Sequence, residues 1–179
     1  MKTEDYLGVV LREFRGIKKL ADGALAQLGD EAFFAVPAEG DNSIAVIVKH
    51  VTGNLCSRWT DFLTADGEKP NRRRDDEFLV LYGDSRTHLM ARWEVGWRTL
   101  FEALEPLQPE DFVRPVVIRG EKLSVLQAVN RQLTHYAYHV GQIVYIAKHL
   151  RGSAWKTLSI PVGKSEEFNR APAKYVEPA

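Results

Sequence analysis

The sequence predicts an all-α fold, and more closely a bundle of four long helices. Four segments carry apolar residues at spacings of three and four, which is the period of one helix face. No segment alternates apolar and polar residues over the length of a sustained strand. The 179 residues suit one folded unit. We therefore expect a single domain over residues 1–179, with the helical bundle at about 3–151 and a C-terminal tail at about 152–179.

The first predicted helix covers residues 6–28, after which Gly29 and Asp30 stop it. A loop rich in turn residues follows. Ser43 is a good N-cap because its hydroxyl can accept a hydrogen bond from the first helical turn. It opens a second helix that we expect to reach about Leu63.

The third predicted helix begins at Asp84-Ser85 and ends before Pro106, with Trp93 and Trp97 on its core face. Residues 64–83 join it to the second helix and are mostly polar. When extended, such a link can recross a bundle of roughly 30 Å. The link is therefore long enough for a crossover between the second and third helices.

The fourth helix has the clearest sequence signals. Ser124-Val125-Leu126-Gln127 has the form of a capping box, and Arg151-Gly152 is a typical helix end. Before it, residues 114–122 indicate extended chain or a small hairpin that serves as a connector. After it, the apolar side chains within residues 153–170 predict that the tail packs on the bundle or on a partner subunit.

Composition narrows the classes of partner and compartment. The 24 basic and 24 acidic residues give a net charge of zero, which argues against nucleic-acid binding. No apolar run approaches the roughly 20 residues that span a bilayer. The acidic start is unlike a signal peptide, and Cys56 has no second cysteine to pair with, so we expect a cytoplasmic protein.

Three histidines form the candidate site. His135 and His139 lie one turn apart on one face of the fourth helix, and His50 lies on the second helix, each at the rim of an apolar face. Three neutral imidazoles can bind one divalent ion and leave a position for water or substrate. The alternative is that they are hydrogen-bonded histidines of the core. His88 and His149 are predicted to lie on the surface.

Other polar residues lie near the candidate histidines in the sequence or could act chemically. Asn54, one turn beyond the histidine of the second helix, and Gln142 are the groups expected to hydrogen-bond to the histidines. Cys56 is predicted to point away from the groove and to act as a small buried hydrophobe. Residues 72–74 are basic and an acidic run follows them, which is typical of a solvated loop.

Four stretches together resemble one known family: SIAVIVKH at 43–50, RWTDFL with the following DGEKP at 58–70, HYAYHVGQ at 135–142 and LSIPVGKSEEFN at 158–169. The chain resembles the DinB-like family of damage-inducible four-helix-bundle proteins, and in particular an uncharacterised bacterial branch of it. The resemblance covers nearly the whole chain. It implies an up-down-down-up bundle with a crossover between helices two and three.

The resemblance also implies chemistry. Members of this family hold a divalent metal ion, most often nickel or zinc, on three histidines, which are His50, His135 and His139 here. They include mycothiol-dependent maleylpyruvate isomerases and bacillithiol transferases, in which the metal binds and activates a low-molecular-weight thiol. By analogy we expect a metal-dependent thiol transferase or hydrolase that acts on a thiol or another small molecule. The resemblance identifies neither the substrate nor the catalytic residues. Members of the family often form dimers, so a homodimer is compatible with it.

A second class of function remains open at the level of sequence. The protein can instead be a non-catalytic metal-binding or stress-response scaffold. The feature that favours this alternative is negative, since no acid, base or nucleophile stands at one-turn spacing from the three histidines.

Overall fold

The computed structural model describes residues 3–170, with side chains from Tyr6 onward. It confirms a mostly helical, all-α fold with one small hairpin. The elements are α1 (Thr3–Leu25), α2 (Asp30–Phe34), α3 (Ile44–Trp59), α4 (Arg86–Leu104), β1 (Pro115–Ile118), β2 (Glu121–Ser124), α5 (Val125–Arg151) and α6 (Ser165–Asn169). None of the described helices is long and apolar enough to cross a membrane.

The long helices start at the predicted caps. The hydroxyl of Ser43 accepts from the Val46 amide, and that of Ser85 accepts from the His88 amide. At the start of α5 the side chains of Ser124 and Gln127 each accept from the other's backbone amide, which completes the capping box. These bonds satisfy amides that have no partner within the helix.

Two predicted boundaries were wrong. The first helix ends at Leu25 rather than 28, and residues 30–34 form the separate helix α2, whose Phe33 is fully buried. The second was expected to reach about Leu63, but α3 ends at Trp59 because Asp61 adopts a positive φ of 49°. The chain turns back there, and the ring of Phe62 packs on Trp59 with centroids 4.7 Å apart. Phe62 therefore satisfies the apolar pattern without continuing the helix.

Large aromatic side chains at the centre of the core join four helices. Phe14, Trp59, Trp97 and Tyr136 come from α1, α3, α4 and α5, and all are fully or almost fully buried. Trp59 donates its ring N–H to the Tyr136 hydroxyl at 3.0 Å, and that hydroxyl donates to Oδ1 of Asn54 at 2.9 Å. The ring N–H of Trp59 and the hydroxyl of Tyr136 thus have partners inside the core.

Contacts between helix ends show which ends meet. Near the starts of α3 and α4, Nζ of Lys49 lies 2.6 Å from Oδ2 of Asp84. Midway along these two helices, a Cβ placed at Gly96 would lie 3.1 Å from Cβ of Leu55. The absence of a side chain at Gly96 therefore lets α3 and α4 approach closely.

The same pattern holds for α1 and α5. Near their starts, Tyr6 donates its hydroxyl to Asn130. Just beyond their ends, Gln27 exchanges hydrogen bonds with the backbone of Lys156.

The link between α3 and α4 is folded onto the helices. It was predicted to be a solvated loop, but the side chains of Arg72 and Glu77 are only 5% and 10% exposed and form an ion pair. A buried ion pair is tolerated only when its charges are closely paired, and Nε of Arg72 lies 2.8 Å from Oε1 of Glu77. Only Arg73 and Arg74 of the basic run lie exposed.

The connector agrees with its prediction, and the tail packs on the bundle over its first part. β1 and β2 form an antiparallel hairpin, and the carboxylate of Asp66 accepts from the Arg119 and Gly120 amides in its turn. In the tail, Leu158 packs against Gly23 of α1. Residues 161–170 are exposed apart from Phe168, and residues 171–179 lie outside the described part.

Candidate metal centre

The three predicted histidines lie together. His50 projects from α3, and His135 and His139 project from adjacent turns of α5. The ring centroids of His135 and His139 are 4.6 Å apart, those of His50 and His139 are 4.9 Å apart, and those of His50 and His135 are 5.5 Å apart. One nitrogen from each ring lies within 4.8 Å of the other two.

This spacing suits a shared ion. A histidine nitrogen binds zinc at about 2.0–2.1 Å, so nitrogens in a tetrahedral site lie about 3.4 Å apart. Nitrogens that lie within 4.8 Å of one another are near enough to share an ion once the rings move closer. The three histidines can therefore hold one divalent metal ion.

His50 has an acidic partner that the sequence did not reveal. Its Nδ1 lies 2.9 Å from Oε2 of Glu77, and His50 is only 6% exposed. Glu77 comes from the short 3-10 helix Arg74–Phe78 in the link. The only sequence signal is the acidic run at 75–77, in which nothing distinguishes the one buried carboxylate from its two neighbours.

The Glu77 carboxylate is held in its charged form. Burial alone would raise its pKa, but the hydrogen bonds from His50 and Arg72 outweigh burial and place the pKa of Glu77 below its ordinary value. An ionised carboxylate only accepts, so His50 carries its proton on Nδ1 and leaves Nε2 free to bind a metal. This is the carboxylate–histidine arrangement common beside protein-bound metal ions.

A glycine makes room for this carboxylate. A Cβ at Gly53, in the middle of α3, would overlap Oε1 of Glu77. Glu77 can therefore reach its partners beside α3 only because residue 53 has no side chain.

Of the two residues predicted to hydrogen-bond to the histidines, Gln142 does so and Asn54 does not. Gln142 contacts the site as expected, since its Oε1 lies 2.9 Å from Nδ1 of His139. Asn54 instead accepts from the Tyr136 hydroxyl, and Glu77 is the group that bonds to His50. Spacing along one helix could not anticipate a partner that comes from the link.

The histidines of α5 favour the neutral form that metal binding requires. Burial, with the neighbouring His139 next in size, lowers the pKa of His135 to about 3. Burial likewise lowers the pKa of His139, against the hydrogen bond to Gln142. Nδ1 of His135 is buried without a hydrogen-bonding partner among the described residues, so the cluster contains one polar atom that a metal ion would satisfy.

A cavity of about 320 Å³ adjoins the histidines. His50 and His135 line it, together with five arginines: Arg58, Arg72, Arg74, Arg119 and Arg131. No carboxylate is among its lining residues in the described chain. A ligand in this cavity would lie next to the candidate metal centre.

The predictions for the remaining residues were mostly confirmed. His88 and His149 are exposed. Cys56 lines a different cavity of about 640 Å³, but it is half-buried rather than a fully buried hydrophobe. Burial raises the pKa of the Cys56 thiol, which disfavours the reactive thiolate.

Fold and site together define a helical protein with three histidines clustered beside a cavity. Residues 2–164 match the model of the family DUF1572, described as a protein of unknown function, and the chain belongs to this family. No curated protein and no solved structure gave a significant match to the chain.

Proposed function

We propose that the protein binds one divalent metal ion through His50, His135 and His139. We further propose that it is a metal-dependent enzyme, either a thiol transferase or a hydrolase of a small substrate. The observation that supports this most is the convergence of three imidazoles from two helices within 4.8 Å. The orphan Nδ1 of His135 adds to it. Imidazole ligands suit nickel and zinc alike.

The residues around the histidines prepare this site. Glu77 orients the ring of His50 through Nδ1, and Gln142 does the same for His139. A divalent ion held there supplies acidity, since it lowers the pKa of a thiol or a water molecule and so produces a nucleophile at neutral pH.

The alternative of a scaffold is less well supported. Closed structural zinc sites have four protein ligands, whereas the group found among the described residues has three. A cavity adjoins two of the three histidines. An ion with an open position beside a cavity favours chemistry on a small molecule over a structural role.

The proposal extends to the fold, for which we propose the up-down-down-up bundle of the DinB-like family. The meeting of like ends supports parallel pairs, α3 with α4 and α1 with α5. In contrast, the start of α4 meets the end of α1, where Arg86 donates to the carbonyls of Leu25 and Leu28. The link at 60–85 would then be the crossover between α3 and α4.

A cobalt-substituted sample tests the enzymatic part of the proposal. Adding bacillithiol, mycothiol or 2-mercaptoethanol should change the visible spectrum, and the cobalt protein should accelerate the reaction in which the thiol displaces chloride from 1-chloro-2,4-dinitrobenzene. His139→Ala should abolish both effects, whereas His149→Ala, at an exposed position of the same helix, should not. A cobalt protein whose spectrum no thiol changes, and which hydrolyses no ester or amide, would favour the scaffold instead.

A further inference from the structure

The cavity beside the histidines has an unusual share of unsatisfied polar atoms. Five buried side-chain nitrogen or oxygen atoms of the described residues have no hydrogen-bonding partner, and three belong to residues that line this one cavity. These are Nε of Arg58, Oε1 of Gln132 and Nδ1 of His135. Arg58 and Gln132 are only 5% and 3% exposed.

These orphan atoms point to a ligand. Buried polar side-chain atoms in proteins nearly always have a partner, and a group without one calls for an explanation. A ligand that pairs with both the donor on Arg58 and the acceptor on Gln132 has to accept as well as donate hydrogen bonds. A metal ion at the three histidines would not satisfy Nε of Arg58, because a cation cannot accept a hydrogen bond.

The charge around the cavity is positive. Glu68 lies within 3.3 Å of Arg58, Arg72 and Arg119, so the charge of one carboxylate is shared among three guanidinium groups. Glu77, which is buried, also pairs with Arg72.

The two remaining arginines have loose partners at the surface. Arg74 lies 3.9 Å from a fully exposed Asp75, and Arg131 lies 3.6 Å from a largely exposed Glu121. Such exposed pairs are weak and readily exchanged for a ligand. The balance of charge therefore favours an anion in the cavity.

We propose that this cavity binds a small organic anion that also carries a hydroxyl or amino group, its carboxylate or phosphate pairing with the arginines and its donor reaching Oε1 of Gln132. Guanidinium groups recognise both oxyanions in paired, planar geometry. One part of the inference rests on the proposed function, namely that this anion is the substrate of the metal centre. The binding itself requires no metal.

Calorimetric titration of the metal-free, full-length chain at constant ionic strength tests the inference. The probes are glycerate and glycerol 3-phosphate, which separate carboxylate from phosphate, with glycerol and propionate as controls. We expect saturable binding of at least one of the two anions, no binding of glycerol, which lacks the charge, and weaker binding of propionate, which lacks the hydroxyl. If neither anion binds, or if glycerol binds equally well, the inference is wrong.

Two variants locate the binding in this cavity. Arg131→Gln removes a guanidinium with a loose surface partner and should weaken anion binding about tenfold, because a charge-assisted hydrogen bond is lost. Arg98→Gln is the matched control, since Arg98 is an exposed arginine of α4 paired with Glu102. If both variants weaken binding equally, or neither does, the anion is not bound by this cavity.

Gln132→Met separates a ligand contact from a structural one. The substitution removes a buried acceptor that has no partner, so thermal stability should be kept or raised while binding of the hydroxylated anions falls. A lower melting temperature with unchanged binding would show that Gln132 supports the fold and would overturn its assigned role.

Cobalt binding, measured on the same samples, keeps the two proposals distinguishable. Cobalt bound at the histidines without any anion binding overturns this inference and leaves the metal centre intact. Anion binding that appears only with cobalt, and that Arg131→Gln does not weaken, means that the anion binds the ion and also overturns it. Anion binding without cobalt supports the inference even if the histidines bind no metal.

Discussion

Glu77 gives His50 its orientation and its tautomer. Its carboxylate accepts from Nδ1 of His50 on one side and from two guanidinium nitrogens of Arg72 on the other. Because the pair is buried, its geometry is fixed by contacts rather than by solvent. The chemistry of one imidazole therefore depends on a residue 27 positions further along the chain.

Replacement of this carboxylate tests its role. Glu77→Gln keeps the size of the side chain but removes its charge, and we expect metal affinity to fall about 10- to 100-fold, as for other groups that orient metal-binding histidines. Competition with a chromogenic chelator measures the change. Asp76→Asn, one residue earlier and paired with the exposed Arg73, is the matched control. Equal affinity in the Glu77→Gln and wild-type proteins would contradict this account.

Gly53 gives an independent test of the same contact. Gly53→Ala places a methyl group where the Glu77 carboxylate lies, so it should displace Glu77, weaken metal binding and destabilise the fold by about 1–3 kcal/mol. Gly16→Ala, in α1 with open space around its Cβ position, should instead stabilise by up to about 1 kcal/mol. Chemical denaturation and chelator competition measure the two effects. A stabilised Gly53→Ala protein with full metal affinity would be the contrary result.

At the scale of elements, local sequence chemistry determines where helices begin, and long-range contacts determine where some of them end. The caps at Ser43, Ser85 and Ser124 were predictable because each bond lies within four residues. The end of α3 was not, because Phe62 is buried against Trp59 although the chain has left the helix at Asp61. The apolar pattern of the sequence is the same whether or not the helix continues to Phe62, so it does not show where α3 ends.

The pair Lys49–Asp84 ties the start of α3 to the start of α4. Burial alone would raise the pKa of Asp84, but hydrogen bonds from Lys49 and the Leu81 amide place it below its ordinary value of 3.8. The folded state therefore binds the proton of Asp84 less readily than the unfolded chain does. The stability from this pair is present above about pH 4 and is lost as the pH falls through the lowered pKa.

Asp84→Asn tests this pH dependence. The variant should be less stable than wild type by roughly 3 kcal/mol at pH 7, because Lys49 is left as a buried charge without its counter-ion. The difference should shrink as the pH falls through the lowered pKa of Asp84, where the wild-type carboxyl itself becomes protonated. Urea denaturation over a pH series from 7 downwards measures it, and a difference that stays constant down to the most acidic pH at which the protein folds would contradict the assignment.

At the scale of the whole molecule, the sequence predicted the all-α fold and the three histidines because both follow from helical periodicity. The cavity and its arginines could not be predicted in the same way. Arg58 lies at the end of α3, Arg119 in the hairpin and Arg131 on α5, and only the packing of link and hairpin onto the helices brings them together. Glu77 was missed for the same reason.

The metal content of protein purified without a histidine tag tests the central claim most directly. After incubation with zinc or nickel and removal of the excess, the account predicts one ion per wild-type chain and a raised melting temperature, since an ion bound only by the folded state stabilises it. His149→Ala should behave as wild type, and His135→Ala and His139→Ala should lose most of the ion. One ion per chain in both His135→Ala and His139→Ala, or none in the wild type, would contradict the account.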